Sequence, residues 1–156
     1  MKSIIKTSLV LGAVSCFALA NVAGAAELEK ADNGYFKQKV VYHVNDLATA
    51  KAAMRNVKNH LQALGNKNVE IRVVTHGVGS TMLVEGTKDP KDPKGEDFSA
   101  TIASLSNDGV TFYICKNTIR GLKIDEKKID LRAKQVPSGV AEIAHLQQKG
   151  FLYMKP

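Results

Sequence analysis

Between residues 37 and 156 the apolar positions follow two alternating rhythms. "KQKVVYHV" (37–44) is a short run in which Val40, Val41, Tyr42 and Val44 favour a strand. Asn45 or Asp46 is placed to cap a helix, and Leu47, Ala50, Met54, Val57, Leu61 and Leu64 then recur at spacings of three and four. That spacing predicts an amphipathic helix of about five turns, ended by Gly65. "VEIRVVTHG" (69–77) reads as a second strand running into a glycine turn, and "VGSTMLVEG" (78–86) as a short helix or irregular segment. "TKDPKDPKGED" (87–97), rich in Asp, Lys and Pro, reads as an exposed loop. "FSATIASLSNDG" (98–109) sets Phe98, Ile102 and Leu105 on one helical face, and "VTFYIC" (110–115) is a continuous apolar strand of the kind covered on both faces.

The polar stretch 116–130 predicts a connection with one or two helical turns, and a fourth short strand falls near Ala133–Val136. Ser138 is placed to cap a helix, "GVAEIAHLQQKG", with Val140, Ile143, Ala144 and Gln147 expected on its inner face. "FLYMKP" is a final strand, and no internal repeat is present. Strand and helix alternate almost throughout, which argues for a mostly parallel sheet of about five strands in an α/β/α sandwich of flavodoxin-like layout. Strand order is not readable from the pattern.

The first 26 residues stand apart from this pattern. Lys2 and Lys6 precede an apolar run, Leu9 to Ala20, that is short for a membrane span. Ala23-Gly24-Ala25 then supplies the small-x-small pattern of a signal-peptidase site. Residues 1–26 are therefore expected to be a cleaved signal peptide, residues 27–36 a mobile polar leader, and residues 37–156 a single domain in a periplasmic protein. The alternative, lipidation at Cys16, meets a poor lipobox, because Ala13 stands where Leu is usual. Loss of Lys2 and Lys6 lowers the formal net charge from +7 to +5. The remaining basic residues are interleaved with acids and form no Arg-rich run, so neither nucleic-acid binding nor a membrane span is expected.

Cleavage leaves one cysteine, Cys115, which excludes an intrachain disulfide. Open parallel sheets bind ligands at the carboxyl ends of their strands. Here those ends carry His43 to Asp46, Thr75-His76-Gly77, Cys115 to Thr118 and Pro137-Ser138-Gly139, while the opposite edge receives ordinary turns. A free cysteine is usually a small buried hydrophobe. Against that stands its place at a strand end, beside Lys116, near Arg120, and before a helical turn that Asn117 or Thr118 could start. Positive charge and a helix N-terminus favour thiolate. His43 and His76 are candidates for acid/base work, for metal ligation or for a hydrogen-bonded scaffold role. No paired-ligand spacing supports zinc, and "GVGS" (77–80) lacks a nucleotide-binding fingerprint, so no cofactor is expected.

"VVYHVND", "VVTHG", "FYICKNT" and above all "VPSGVAEIAHLQQKGFLYMKP" resemble the DsrE/DsrF-like family of sulfur-handling proteins, in an exported form. The resemblance runs from about Lys39 to Pro156. It implies a three-layer α/β/α fold and frequent assembly into trimers or hexamers. It also implies that Cys115 occupies the position at which sulfur-relay members carry a persulfide. His43, His76 and Asn117 match family-like motifs without a transferable role. Relay members are cytoplasmic, so an exported relative would lack their partners. Two functions follow as expectations. The first is a sulfur carrier on Cys115, at most sulfurtransferase-like, that takes sulfur from a sulfane donor and gives it to an acceptor thiol. Lys116 and Arg120 would then stabilise the thiolate, with His43 or His76 handling protons. The second is a non-enzymatic oligomeric module that binds a small ligand or protein. A metal-binding protein using Cys115 and His76 is a distant third.

Overall fold

The computed structural model describes residues 28–156; the expected signal peptide and Cys16 lie outside the described residues. Five strands, β1 (Gln38–Val44), β2 (Val69–Thr75), β3 (Thr111–Cys115), β4 (Ala133–Val136) and β5 (Leu152–Met154), form one sheet in the order β4-β3-β2-β1-β5. Every pairing is parallel, with Tyr42 opposite Val73, Val73 opposite Phe112, Phe112 opposite Ala133 and Tyr42 opposite Met154. The α/β class with a five-stranded parallel sheet is as the periodicity implied.

Helix α1 (Leu47–Leu64) starts at Asp46, whose side chain accepts the Ala48 N–H, and stops at Gly65, whose N–H returns to the Leu61 carbonyl. Its buried stripe, Ala50, Ala53, Met54, Val57, Leu61 and Leu64, packs with α2 (Ser99–Asn107) on one face of the sheet. Ile119 of α3 (Lys116–Gly121) joins the same cluster. A 3₁₀ helix, Gly77–Leu83, fills the segment whose conformation the sequence left ambiguous, and it buries Met82 and Leu83. The opposite face is smaller. It is held by Ile143 and Leu146 of α4 (Gly139–Gln148) against Val41, Val74 and Phe151.

One expectation differs in detail. Val140 is 64% exposed, Ala144 and Gln147 also face solvent, and Leu146 supplies the packing contact instead. The inner face was misassigned because α4 presents only a narrow stripe, Ile143 and Leu146, to a small cluster. The loop 87–97, largely exposed as expected, is also tethered. Asp97 accepts the N–H groups of Gly86 and Ser99, and Asp92 holds Lys51 of α1 at 3.0 Å. The described part of the leader, residues 28–36, makes a turn closed by a bridge between Lys30 and Phe36, with Ala31 buried and Asn33 donating to the Ala63 carbonyl.

The connections explain where a site can form. The β1–β2, β2–β3 and β3–β4 links carry their helices over one face, whereas the link after β4 carries α4 over the other. From the end of β4, α4 runs back over β3, β2 and β1, so its N-terminus lies at the carboxyl edge of the sheet, where Cys115 lies opposite Val136.

Gly79 brings the 3₁₀ helix against the end of β1. A Cβ there would lie 2.6 Å from the Val44 carbonyl oxygen and 2.7 Å from the Asp46 nitrogen, both backbone atoms that cannot rotate away. Gly79→Ala is expected to destabilise the fold by about 1–3 kcal/mol in denaturant titration, as overpacking does. Gly121→Ala, where nothing stands within 4 Å, should be close to neutral.

Candidate functional site

Sequence order scatters the candidate residues, and the parallel sheet gathers most of them. His43 lies near the end of β1, His76 follows β2, Cys115 ends β3, and Lys116, Asn117 and Arg120 lie in α3. Side chains alternate faces along a strand. The registers place His43, Cys115 and Tyr153 of β5 on the face that carries α4.

Cys115 is a free thiol and only 4% exposed. Burial alone pushes a thiol pKa up. Four donors oppose it: the backbone N–H groups of Gly139, Thr118 and Asn117, and the Thr118 hydroxyl. Together they outweigh burial and hold the Cys115 pKa below its ordinary value. The Thr118 hydroxyl in turn accepts the Gly77 N–H at 2.9 Å, which ties the end of β2 to the sulfur's surroundings. Charge was expected from Lys116 and Arg120, but neither is among the groups acting on the thiol. The Arg120 guanidinium donates instead to the Asn117 side chain. The helix-start contribution is present, supplied by backbone donors.

Gly139 fits α4 against this corner. A Cβ on it would lie 3.1 Å from the His76 Cβ, 3.1 Å from the Thr75 carbonyl oxygen and 3.4 Å from the Cys115 Cβ. A side chain there would be accommodated only if these neighbours moved by a few tenths of an ångström.

The two histidines meet. His43 Nε2 lies 2.6 Å from His76 Nε2, with ring centroids 4.6 Å apart, and His43 Nδ1 lies 2.6 Å from the Tyr153 hydroxyl. Burial, then the neighbouring His76 and Lys155, depress the His43 pKa to about 4. Burial and Lys155 also lower that of His76. Both rings are therefore neutral near pH 7, and each can donate from one nitrogen while accepting at the other. Among the described residues no group of three or more His, Cys, Asp or Glu side chains could hold a metal ion, and no helix is long and apolar enough to cross a membrane.

Sequence reasoning missed Thr118 as a donor, Gly139 as a contact and Tyr153 altogether. Thr118 was weighed only as a possible helix start. The role of Tyr153 depends on β5 lying beside β1, and no local pattern encodes that neighbour.

The family model described as "DsrE/DsrF-like family" matches residues 38–156. The chain belongs to the DsrE/DsrF-like family. This family is generally related to sulfur relay. Among solved structures, MTH1491 of Methanobacterium thermoautotrophicum, a protein of unknown function, is similar at 27% identity with a TM-score of 0.65, covering 76% of this chain and 99% of that one. The ychN protein of E. coli is similar in fold, with a TM-score of 0.61 at 16% identity and the same coverage of 76% and 99%. No curated protein matches the chain. The DsrE/DsrF-like fold thus accounts for the sheet, while the site rests on this chain's own side chains.

Two outcomes are expected. A pH profile of iodoacetamide reaction on folded protein should place the Cys115 midpoint below that of a free cysteine, about 8.5. Thr118→Val should raise it more than Lys116→Ala combined with Arg120→Ala, because Thr118 donates to the sulfur directly. Reaction only after denaturation would make Cys115 a core residue.

The second outcome concerns acid. An unfolded histidine titrates near 6.5, while His43 in the fold titrates at about 4. Between those values the unfolded chain binds the extra proton, so stability falls as pH falls through that window. His60 and His76, whose pKa values are also lowered, act in the same direction. Thermal unfolding of His43→Gln should lose less stability over the window than the wild type does.

Proposed function

We propose that this protein is a sulfur carrier that holds sulfane sulfur on Cys115. The observation that carries the reading is a free thiol at the carboxyl end of β3 whose pKa is lowered by four hydrogen-bond donors despite its burial. The thiolate is the nucleophile in sulfur exchange, and a pKa nearer ambient pH balances its population against its reactivity. Its sulfur attacks the outer sulfur of a persulfide or thiosulfate, and a new S–S bond forms on Cys115. The donor's S–S bond breaks, and the electron pair leaves with the donor thiolate or sulfite. An acceptor thiolate reverses the sequence and restores Cys115. No net oxidation occurs in either half. Limited exposure suits slim donors that present a terminal sulfur. Membership of a family related to sulfur relay supports the same chemistry.

The carrier acts in the periplasm after removal of residues 1–26, as the short apolar run and Ala23-Gly24-Ala25 imply. It assembles there as a homo-oligomer, a trimer or hexamer. The runner-up is a binding module in which Cys115 is structural. The exposed apolar side chains of Val78 and Val140, which follow the ends of β2 and β4, favour that reading.

One experiment separates the two. Intact and native mass are measured on protein recovered from the periplasm, before and after incubation with polysulfide. The carrier begins near Ala26 or Glu27, assembles, and gains one sulfur atom that Cys115→Ser does not gain. Protein that assembles but takes no sulfur, with an unreactive thiol, is the binding module.

A further inference from the structure

The geometry points to a proton relay, Tyr153–His43–His76, that runs across the carboxyl edge of the sheet and delivers a proton to the donor's leaving sulfur at Cys115. This inference rests on the carrier reading and adds to it the route of the proton and the class of donor. Four neighbouring strands in order, β5, β1, β2 and β3, bring Tyr153, His43, His76 and Cys115 into one line. The line is oblique: Tyr153 is level with Val41, and His76 and Cys115 lie two residues beyond the level of His43, so it climbs along the strands while it crosses three strand spacings of about 4.8 Å. Tyr153, at the outer end, is 42% exposed and meets water. At the inner end, His76 and Cys115 flank Gly139, with both Cβ atoms within 3.4 Å of the point where a Gly139 side chain would start.

A relay requires every member to donate on one side and accept on the other. Tyrosine and neutral imidazole both do so. The two 2.6 Å contacts link hydroxyl to Nδ1 and Nε2 to Nε2. Among the described residues no protein group is bonded to His76 Nδ1, which leaves the inner terminus free. Two proton arrangements satisfy both contacts. In the first, the Tyr153 O–H donates to His43 Nδ1, His43 Nε2–H donates to His76 Nε2, and His76 Nδ1 carries the delivered proton. In the second, His76 Nε2–H donates to His43 Nε2, and His43 Nδ1–H donates to the Tyr153 oxygen. Passing from the first to the second releases one proton at His76 Nδ1 and takes up one from water at Tyr153. No ring becomes cationic in the resting forms. That matters beside Lys155, whose positive charge acts on both histidines.

The proton has a defined use. When the Cys115 thiolate meets a persulfide anion, the sum is Cys–S⁻ + R–S–S⁻ + H⁺ giving Cys–S–S⁻ + R–SH. One S–S bond forms, one breaks, and the relay's proton neutralises the departing thiolate. With thiosulfate the sum is Cys–S⁻ + S–SO₃²⁻ giving Cys–S–S⁻ + SO₃²⁻, which consumes no proton. The relay therefore assigns the protein to thiol persulfides in preference to thiosulfate.

The test compares initial rates of sulfur loading, read by intact mass, from glutathione persulfide and from thiosulfate at alkaline pH, where sulfite leaves as the dianion. The expected result is that Tyr153→Phe lowers the persulfide-to-thiosulfate rate ratio by about a hundredfold, the lower end of the range of proton-transfer contributions. Free imidazole in the buffer restores the ratio. His43→Gln, which breaks the chain in its middle, should lower it likewise. An unchanged ratio in both variants, or a fall that imidazole does not restore, overturns the relay and leaves the carrier standing. Wild-type protein that loads from neither donor overturns the carrier reading and the relay with it.

Discussion

The start of α4 must pass within van der Waals contact of the ends of β2 and β3, and much of the site depends on that approach. Glycine at 139 eases that approach, because a Cβ there would stand closer than ordinary contact, 3.1 Å, to the His76 Cβ and the Thr75 carbonyl oxygen. The approach brings the Gly139 N–H to the Cys115 sulfur. It also lets Ser138, whose hydroxyl accepts the Ala141 N–H, set the first turn of α4 beside Cys115. Among the described residues α4 is the only helix packed on this face, through Ile143 and Leu146, so the helix that shapes the thiol's surroundings also closes the smaller half of the core.

Electrostatics at this edge is built from dipoles rather than formal charge. The thiol is served by three amide N–H groups and one hydroxyl, and the histidines are kept neutral by partial burial with Lys155 nearby. Oriented dipoles fixed by the backbone need little reorganisation when charge appears on the sulfur. A flexible lysine or arginine would have to give up its hydration to do the same, and Arg120 is already committed to Asn117.

The fold was legible because α/β periodicity is local. The spacing from Leu47 to Leu64, the cap at Asp46 and the stop at Gly65 each lie within one element, and each is found in the structure. The sheet's parallel sense followed from alternation, and it correctly gathered His43, His76 and Cys115 at one edge. What remained hidden depends on neighbours distant in sequence. The contact between His43 and Tyr153 spans 110 residues, and that between Gly77 and Thr118 spans 41. Charge was readable at Lys116 and Arg120, whereas the donors that act on the thiol belong mostly to the backbone and have no letter in the sequence. The exposure of Val140 was misread for a related reason, since an apolar residue at helical spacing does not reveal how narrow the surface beneath it is.

β5 is three residues long and ends two residues before the last residue, Pro156, yet it pairs directly with β1, the first strand of the sheet. The cysteine and its donors come from residues 115–139, whereas the line of side chains reaching solvent closes only when Tyr153 docks beside Val41. Such a pairing has nearly the greatest sequence separation the domain allows, and contacts of that kind are entropically the most demanding to form. A chain truncated by a handful of residues would keep its thiol but lose the far end of its hydrogen-bonded line. The hydrogen-bonded line is thus completed by a short strand whose tyrosine lies 110 residues along the chain from the histidine it meets.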